Sequence, residues 1–122
     1  MGGAQDLLPS RYYLAPRPLR TLWLQRRLAE LLATYRSSTA FVKLVRLLNE
    51  NHRAAGLPRP TPIEREQLLL DALEMAEVRD SRGRAWRLQG TYTPGSARRR
   101  GKCTYLVYVV EDGASRDSRS SG

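Results

Sequence analysis

Apolar residues return along the chain in two rhythms, and the switch between them orders the whole molecule. Across 19–36, Leu24, Leu28, Leu31, Leu32 and Tyr35 recur at the spacing of one helical face, which predicts a first helix that buries that face. Arg20, Arg27 and Thr34, with Arg26 and Glu30 beside them, fall on the opposite side as a basic stripe in solvent. Phe41, Leu44, Val45 and Leu48 repeat the rhythm and predict a second helix ending near Gly56. The hydroxyls of Ser37, Ser38 and Thr39 stand where the free amides of that helix start need acceptors. Lys43, Arg46, Asn49, Glu50 and Arg53 project from its other side, mixing donors suited to phosphates and bases with one carboxylate.

Leu57-Pro58-Arg59-Pro60 interrupts the helices, because each proline lacks an amide and pushes its predecessor out of helical geometry. Thr61 then caps a third helix, with Pro62 at its first position and Glu64 three residues on from the cap, the layout of a capping box. Leu68, Leu69, Ala72, Leu73, Met75 and Ala76 supply a broad apolar face for this helix, and Glu64, Gln67, Asp71 and Glu74 an acidic side turned to water.

Beyond it the period falls to two. Val78-Arg79 opens an extended segment, Asp80-Ser81-Arg82-Gly83 reads as a turn, and Trp86 and Leu88 face inward from a strand. The stretch 93–102, TPGSARRRGK, is a loop by its Pro94, Gly95 and Gly101. In 104–110, Tyr105, Val107 and Val109 alternate with Leu106, Tyr108 and Val110, so both faces are apolar and the strand is expected at the centre of a sheet or at an interface.

Length and composition add limits. A chain of 122 residues, 41% hydrophobic and 27% charged, suits one soluble domain with a single core. The expected layout is an extended arm over 1–18, a folded domain over 19–111 and a disordered polar tail over 112–122. No apolar run approaches the roughly 20 residues of a membrane span, and the start lacks a signal-peptide layout, so an intracellular setting is expected, in cytoplasm, nucleoid or nucleus. Cys103 is the only cysteine, which rules out an internal disulfide and a cysteine zinc site.

Charge changes the picture more. The net value is +9, from 21 basic and 12 acidic residues. Residues 61–77 carry one base against five acids, a balance of −4, inside a chain that is basic on both sides. Arg98, Arg99, Arg100 and Lys102 concentrate positive charge in the loop. Arginine forks match phosphate oxygens, and a basic total points to a polyanionic partner.

Three helices followed by strands around a basic loop resemble the winged-helix (winged helix-turn-helix) superfamily from about 19 to 110. The resemblance implies an α+β fold in which three helices precede a two- or three-stranded antiparallel hairpin sheet. It implies nucleic-acid binding as the commonest role and protein interaction as a second. In the usual docking the third helix enters the major groove, where a row of carboxylates would be repelled by phosphates. The expected contacts are therefore Arg98, Arg99, Arg100 and Lys102 in the wing, with Arg20, Arg27, Lys43, Arg46 and Arg53 on the first two helices. Duplex DNA is the favoured partner, as for a transcription regulator or a replication or chromosome accessory factor, with single-stranded DNA or RNA as alternatives. The other reading is a protein-interaction module, homodimeric or with another partner, acting through the acidic third helix and the strand 104–110.

Other residues have more ordinary readings. Trp23 and Trp86 belong to the core, while Tyr92 and Tyr105 bracket the basic loop and either pack the hairpin or stack on unpaired bases. Arg11, Arg17 and Arg20 would permit the arm a nucleic-acid contact, although an arm packed on the core is the simpler expectation. His52 stands alone and is expected to be exposed near a helix end, and Cys103 has no partner base at a supporting spacing. No catalytic set, metal cluster or phosphate-cradling glycine loop is spelled out, so an enzyme and a cofactor are not expected.

Overall fold

The computed structural model describes residues 7–95 and 104–111. Among these, a 3₁₀ turn at Tyr12–Leu14 precedes α1 (Arg17–Ala33), β1 (Thr39–Lys43), α2 (Leu44–Ala54), α3 (Pro62–Leu73), β2 (Glu77–Arg79), β3 (Ala85–Tyr92) and β4 (Tyr105–Val110). The fold is α+β, with a four-stranded sheet in the order β1-β4-β3-β2. β4 is therefore central, as its two apolar faces predicted. Among the described residues no helix is long and apolar enough to cross a membrane.

The sheet has four strands where two or three were expected, and one of them separates the first two helices. Residues 39–43 were assigned to a helix start, yet Thr39, Phe41 and Lys43 are exposed while Ala40 and Val42 are buried, an alternation with period two. Val110 N–H donates to Ser38 O at 2.9 Å at the edge of this strand. Lys43 keeps an extended backbone, and α2 begins only at Leu44.

The chain groups into two compact units. The first comprises Met1–Arg27 and Lys43–Met75, and so holds the arm, the first turns of α1, and α2 and α3. Leu8, Tyr12 and Ala15 of the arm are buried, as are Trp23, Leu24, Leu44, Leu48, Leu68 and Ala72. Tyr12 meets Trp23 edge to face at 5.9 Å. Leu8 N–H donates to Asn51 Oδ1 at 2.9 Å, which ties the arm to α2. The arm is thus packed, as the simpler reading had it. α2 ends in a Schellman arrangement: Gly56 has φ 74, Gly56 N–H donates to Arg53 O and Leu57 N–H to His52 O. The capping box of α3 is present, with Glu64 N–H donating to Thr61 Oγ1 at 3.2 Å and Thr61 N–H to Glu64 Oε1 at 2.9 Å.

The second unit comprises Leu28–Val42 and Ala76–Gly122, and so holds the last turns of α1 and the sheet. Leu28, Leu32, Ala40, Val42, Val78, Trp86, Leu106 and Tyr108 are buried within it. β3 pairs antiparallel with β2 and with β4, with an irregularity in the β4 register between Leu88 and Gly90. The expected turn at Asp80–Gly83 is present and is built around a buried carboxylate. Asp80 accepts from Arg82 N–H at 2.8 Å, Arg84 N–H at 3.0 Å, Arg84 Nε at 3.0 Å and Trp86 Nε1 at 2.9 Å. Burial raises the Asp80 carboxyl, but these donors outweigh it and hold it below its ordinary value. Arg84 also donates to Leu32 O and Tyr35 O, satisfying carbonyls that the end of α1 leaves open.

Candidate nucleic-acid interface

The charge layout of the first unit resolves around α3. Of Glu64, Gln67, Asp71 and Glu74, expected together in water, Glu64 and Asp71 are buried and Gln67 is half-buried, while Glu74 stays exposed. The arm and the start of α1 cover the buried pair. Arg11 reaches Glu64 Oε1 at 2.6 Å, Arg20 Nε reaches Asp71 Oδ2 at 2.9 Å, and Arg17 pairs with Glu74. Tyr12 OH donates to Asp71 Oδ2 at 2.5 Å and Gln67 Nε2 to Asp71 Oδ1 at 2.9 Å. The acidic row is the seat of the basic arm.

This packing shifts the acidities of the groups involved. Burial pushes the Glu64 carboxyl up, but donors from Arg11, Thr61 N–H and Tyr13 N–H outweigh it and hold it at about 2. Asp71 behaves alike: burial raises it, and Arg20, Tyr12 and Gln67 bring it below its ordinary value. Burial and then Asp71 raise the Tyr12 phenol. The Asp71 hydrogen bond raises Arg20 in turn.

With Glu64 and Asp71 inside, α3 is turned relative to expectation. Leu68 and Ala72 are buried, but Leu73, assigned to the apolar face, is exposed with Ile63 and Leu70, at 42% to 75%. The exposed side of α3 therefore carries Ile63, Leu70 and Leu73 with Glu66 among them and Glu74 at the C-cap.

Arg20 is correspondingly no part of a solvent stripe. Its guanidinium sits against Asp71, donates to Ala15 O at 2.9 Å and lies 5.5 Å from the centre of the Tyr12 ring. Arg27 is half-buried. Arg98, Arg99, Arg100, Lys102 and Cys103 lie outside the described residues.

On α2 the expected faces hold for Leu44, Leu48, Arg46, Asn49, Glu50 and Arg53, whereas Phe41 and Lys43 belong to β1. Leu44, Leu47, Leu48, Asn51 and His52 are buried, while Lys43, Arg46, Asn49, Glu50 and Arg53 are exposed. Arg46 Nε is 3.5 Å from Glu50 Oε2, an exposed pair that leaves the guanidinium open to other oxygens. The spacing places Arg46, Asn49 and Arg53 along one strip of α2, with Lys43 at the N-cap before it. Where the strip ends, Asn49, His52, Arg53, Leu57 and Arg59 line a surface pocket of about 370 Å³. The pocket could accept one phosphate-sized group between two arginines and an amide.

His52 departs from expectation, being buried and not exposed. Its Nδ1 lies 3.1 Å from Pro58 O, which can only accept, so Nδ1 donates there, while the buried Nε2 has no hydrogen-bond partner among the described residues. Its place in the rhythm of Leu44, Leu48 and Asn51 is the signal that could have found it.

In the second unit, sequence reasoning missed Phe41 as a surface group. Its ring meets Tyr92 at 5.7 Å, and Tyr92 meets Tyr105 at 6.5 Å. Trp23 and Trp86 are buried as expected.

Among the described residues no His, Cys, Asp or Glu group is arranged to hold a metal ion. No protein-family model matches the chain, and neither a curated protein nor a solved structure matches it.

Proposed function

We propose that the protein binds nucleic acid, duplex DNA in the first place, as a winged-helix protein whose contact surface is the outer strip of α2. The observation that carries this reading is the exposure of Arg46, Asn49 and Arg53 on one side of α2, preceded by exposed Lys43 at its N-cap and continued by Arg59 at the pocket. Cations at that spacing can each neutralise a phosphate, and Asn49 adds a side chain able to bond a base edge. The order helix, strand, helix, helix, strands, with β1 beside β4, supports the winged-helix comparison. Arg98, Arg99, Arg100 and Lys102 remain a second basic set by sequence alone, outside the described residues.

The test is a titration of labelled duplex DNA at several salt concentrations, with the native chain and with Lys43→Ala/Arg46→Ala/Arg53→Ala. The native chain should lose affinity steeply with salt. The variant should bind more weakly with a shallower log-log slope, by about 0.9 for each phosphate contact removed. An unchanged slope would remove α2 from the interface.

The exposed Ile63, Leu70 and Leu73 favour a second reading, protein interaction through α3. Sedimentation equilibrium reads it for self-association: a dimer dissociated by Leu70→Ser/Leu73→Ser, with DNA binding unchanged, would establish α3 as that surface.

A further inference from the structure

The second unit has an outward sheet face that its own packing does not use. Buried and open positions alternate along the strands: Val42 and Leu106 go inward, and their neighbours Phe41 and Tyr105 take the other face. Phe41 is 48% and Tyr92 49% exposed. Folding alone gives no reason to leave two large rings half in water, since burying them would be favourable.

The three rings form one group across neighbouring strands. Phe41 belongs to β1, Tyr105 to β4 and Tyr92 to β3, and these strands lie side by side in that order. The Phe41 and Tyr92 planes cross at 81°, and those of Tyr92 and Tyr105 at 47°. Tyr35 OH donates to Phe41 O at 3.0 Å, which anchors the backbone beneath the outermost ring. Tyr92 and Tyr105 are paired opposite one another at the end of the hairpin.

We infer that Phe41, Tyr92 and Tyr105 form a stacking surface for the unpaired bases of single-stranded DNA. This rests on the reading of the chain as a DNA-binding protein and adds a second substrate form and a second surface to it. Bases offer flat π-faces that stack on such rings whatever their sequence. The sign of the charge selects the occupant. The segment between Tyr92 and Tyr105 carries by sequence four basic residues, Arg98, Arg99, Arg100 and Lys102, and no acidic one, a charge that favours a polyanionic occupant.

The experiment is fluorescence anisotropy with a labelled oligo(dT) of roughly 15 nucleotides, an oligo(rU) of equal length and a duplex, a length within reach of small single-strand binders. Native protein should bind oligo(dT). Phe41→Ala and Tyr92→Ala should each weaken that binding about 5- to 150-fold, the range expected for loss of one stacked base. Duplex binding should stay within about twofold and the salt slope unchanged, because no phosphate contact is removed. Tyr92→Phe, which keeps the ring, should bind as the native chain does and serves where the alanine variant fails to fold. Native-like oligo(dT) binding by both alanine variants would overturn the proposal, as would binding of the duplex without oligo(dT), or of oligo(rU) alone. A dimer that Phe41→Ala dissociates would overturn it in favour of a self-association surface. Duplex binding lost in the α2 variant while oligo(dT) binding persists leaves the stacking surface standing and separates the two readings.

Discussion

Replacing Arg20 with methionine tests whether the basic arm is seated on α3. The side chains of Arg20 and Asp71 are 13% and 5% exposed, so solvent screens their interaction little. In Arg20→Met, Asp71 loses donors at 2.9 and 3.4 Å but keeps Tyr12 and Gln67. Ala15 O loses its donor as well. Breaking a buried pair by removing one partner typically costs about 3–5 kcal/mol. The two retained donors should hold the loss to about 2–3 kcal/mol, a large share of the roughly 5–15 kcal/mol that separates folded from unfolded states. Urea unfolding followed by tryptophan fluorescence measures it, since Trp23 packs on Tyr12.

A pH series adds a second readout. The Asp71 carboxyl is depressed in the fold, so its stabilisation is present above its unfolded value of about 3.9 and is lost as pH falls through the folded one. The deficit of Arg20→Met should therefore be largest near neutrality and shrink in acid. In the cycle with Asp71→Asn, the double variant should be more stable than the two single losses added together, because neutralising Asp71 removes the charge left unpaired. A deficit below about 1 kcal/mol at neutral pH, or one that pH does not alter, would mean that Arg20 is an ordinary surface residue and the seat is not formed.

Two further perturbations reach the other buried carboxylates. Glu64 is held at about 2, so its contribution is complete above its ordinary value of 4.5 and is lost on acidification toward about 2. Glu64→Gln should flatten the acid limb of stability against pH between those values, and an unchanged limb would refute the assignment. Asp80→Ala leaves Trp86 Nε1 without its acceptor and Arg84 without its carboxylate. A loss of about 2–4 kcal/mol is expected in thermal or urea unfolding, and one below about 0.5 kcal/mol would show that the turn does not depend on this group.

What could be read from the sequence was local. The capping box at Thr61 and Glu64, the turn at Asp80–Gly83 and the alternation of β4 each depend on neighbours within a few positions, and each is present. β1 was missed because Phe41, Leu44, Val45 and Leu48 have helical spacing even though the strand ends at Lys43 and the helix starts after it. The orientation of α3 was missed because its determinants are remote. The arginines that cover Glu64, Asp71 and Glu74 lie more than fifty residues earlier in the chain. Helical periodicity sorts residues by face, but it does not say whether a row of carboxylates meets water or a guanidinium. The complementary signal was present in the arm, where Arg11, Arg17 and Arg20 accompany a single acid, Asp6.

That pairing also decides which positive charge is available to a ligand. Arg11, Arg17 and Arg20 face carboxylates of α3, so these cations and anions largely cancel within the first unit. Placing an anion at Arg20 would mean competing with Asp71 in a buried site and exposing Tyr12, whereas Lys43, Arg46 and Arg53 already stand in water with one carboxylate, Glu50, among them. The cost of displacing an exposed partner is small, and that of displacing a buried one is large. A phosphate should therefore be drawn to α2 before the arm, although Arg11, Arg17 and Arg20 are as many cations as Lys43, Arg46 and Arg53. Net charge alone would have ranked the two surfaces equally; burial separates them.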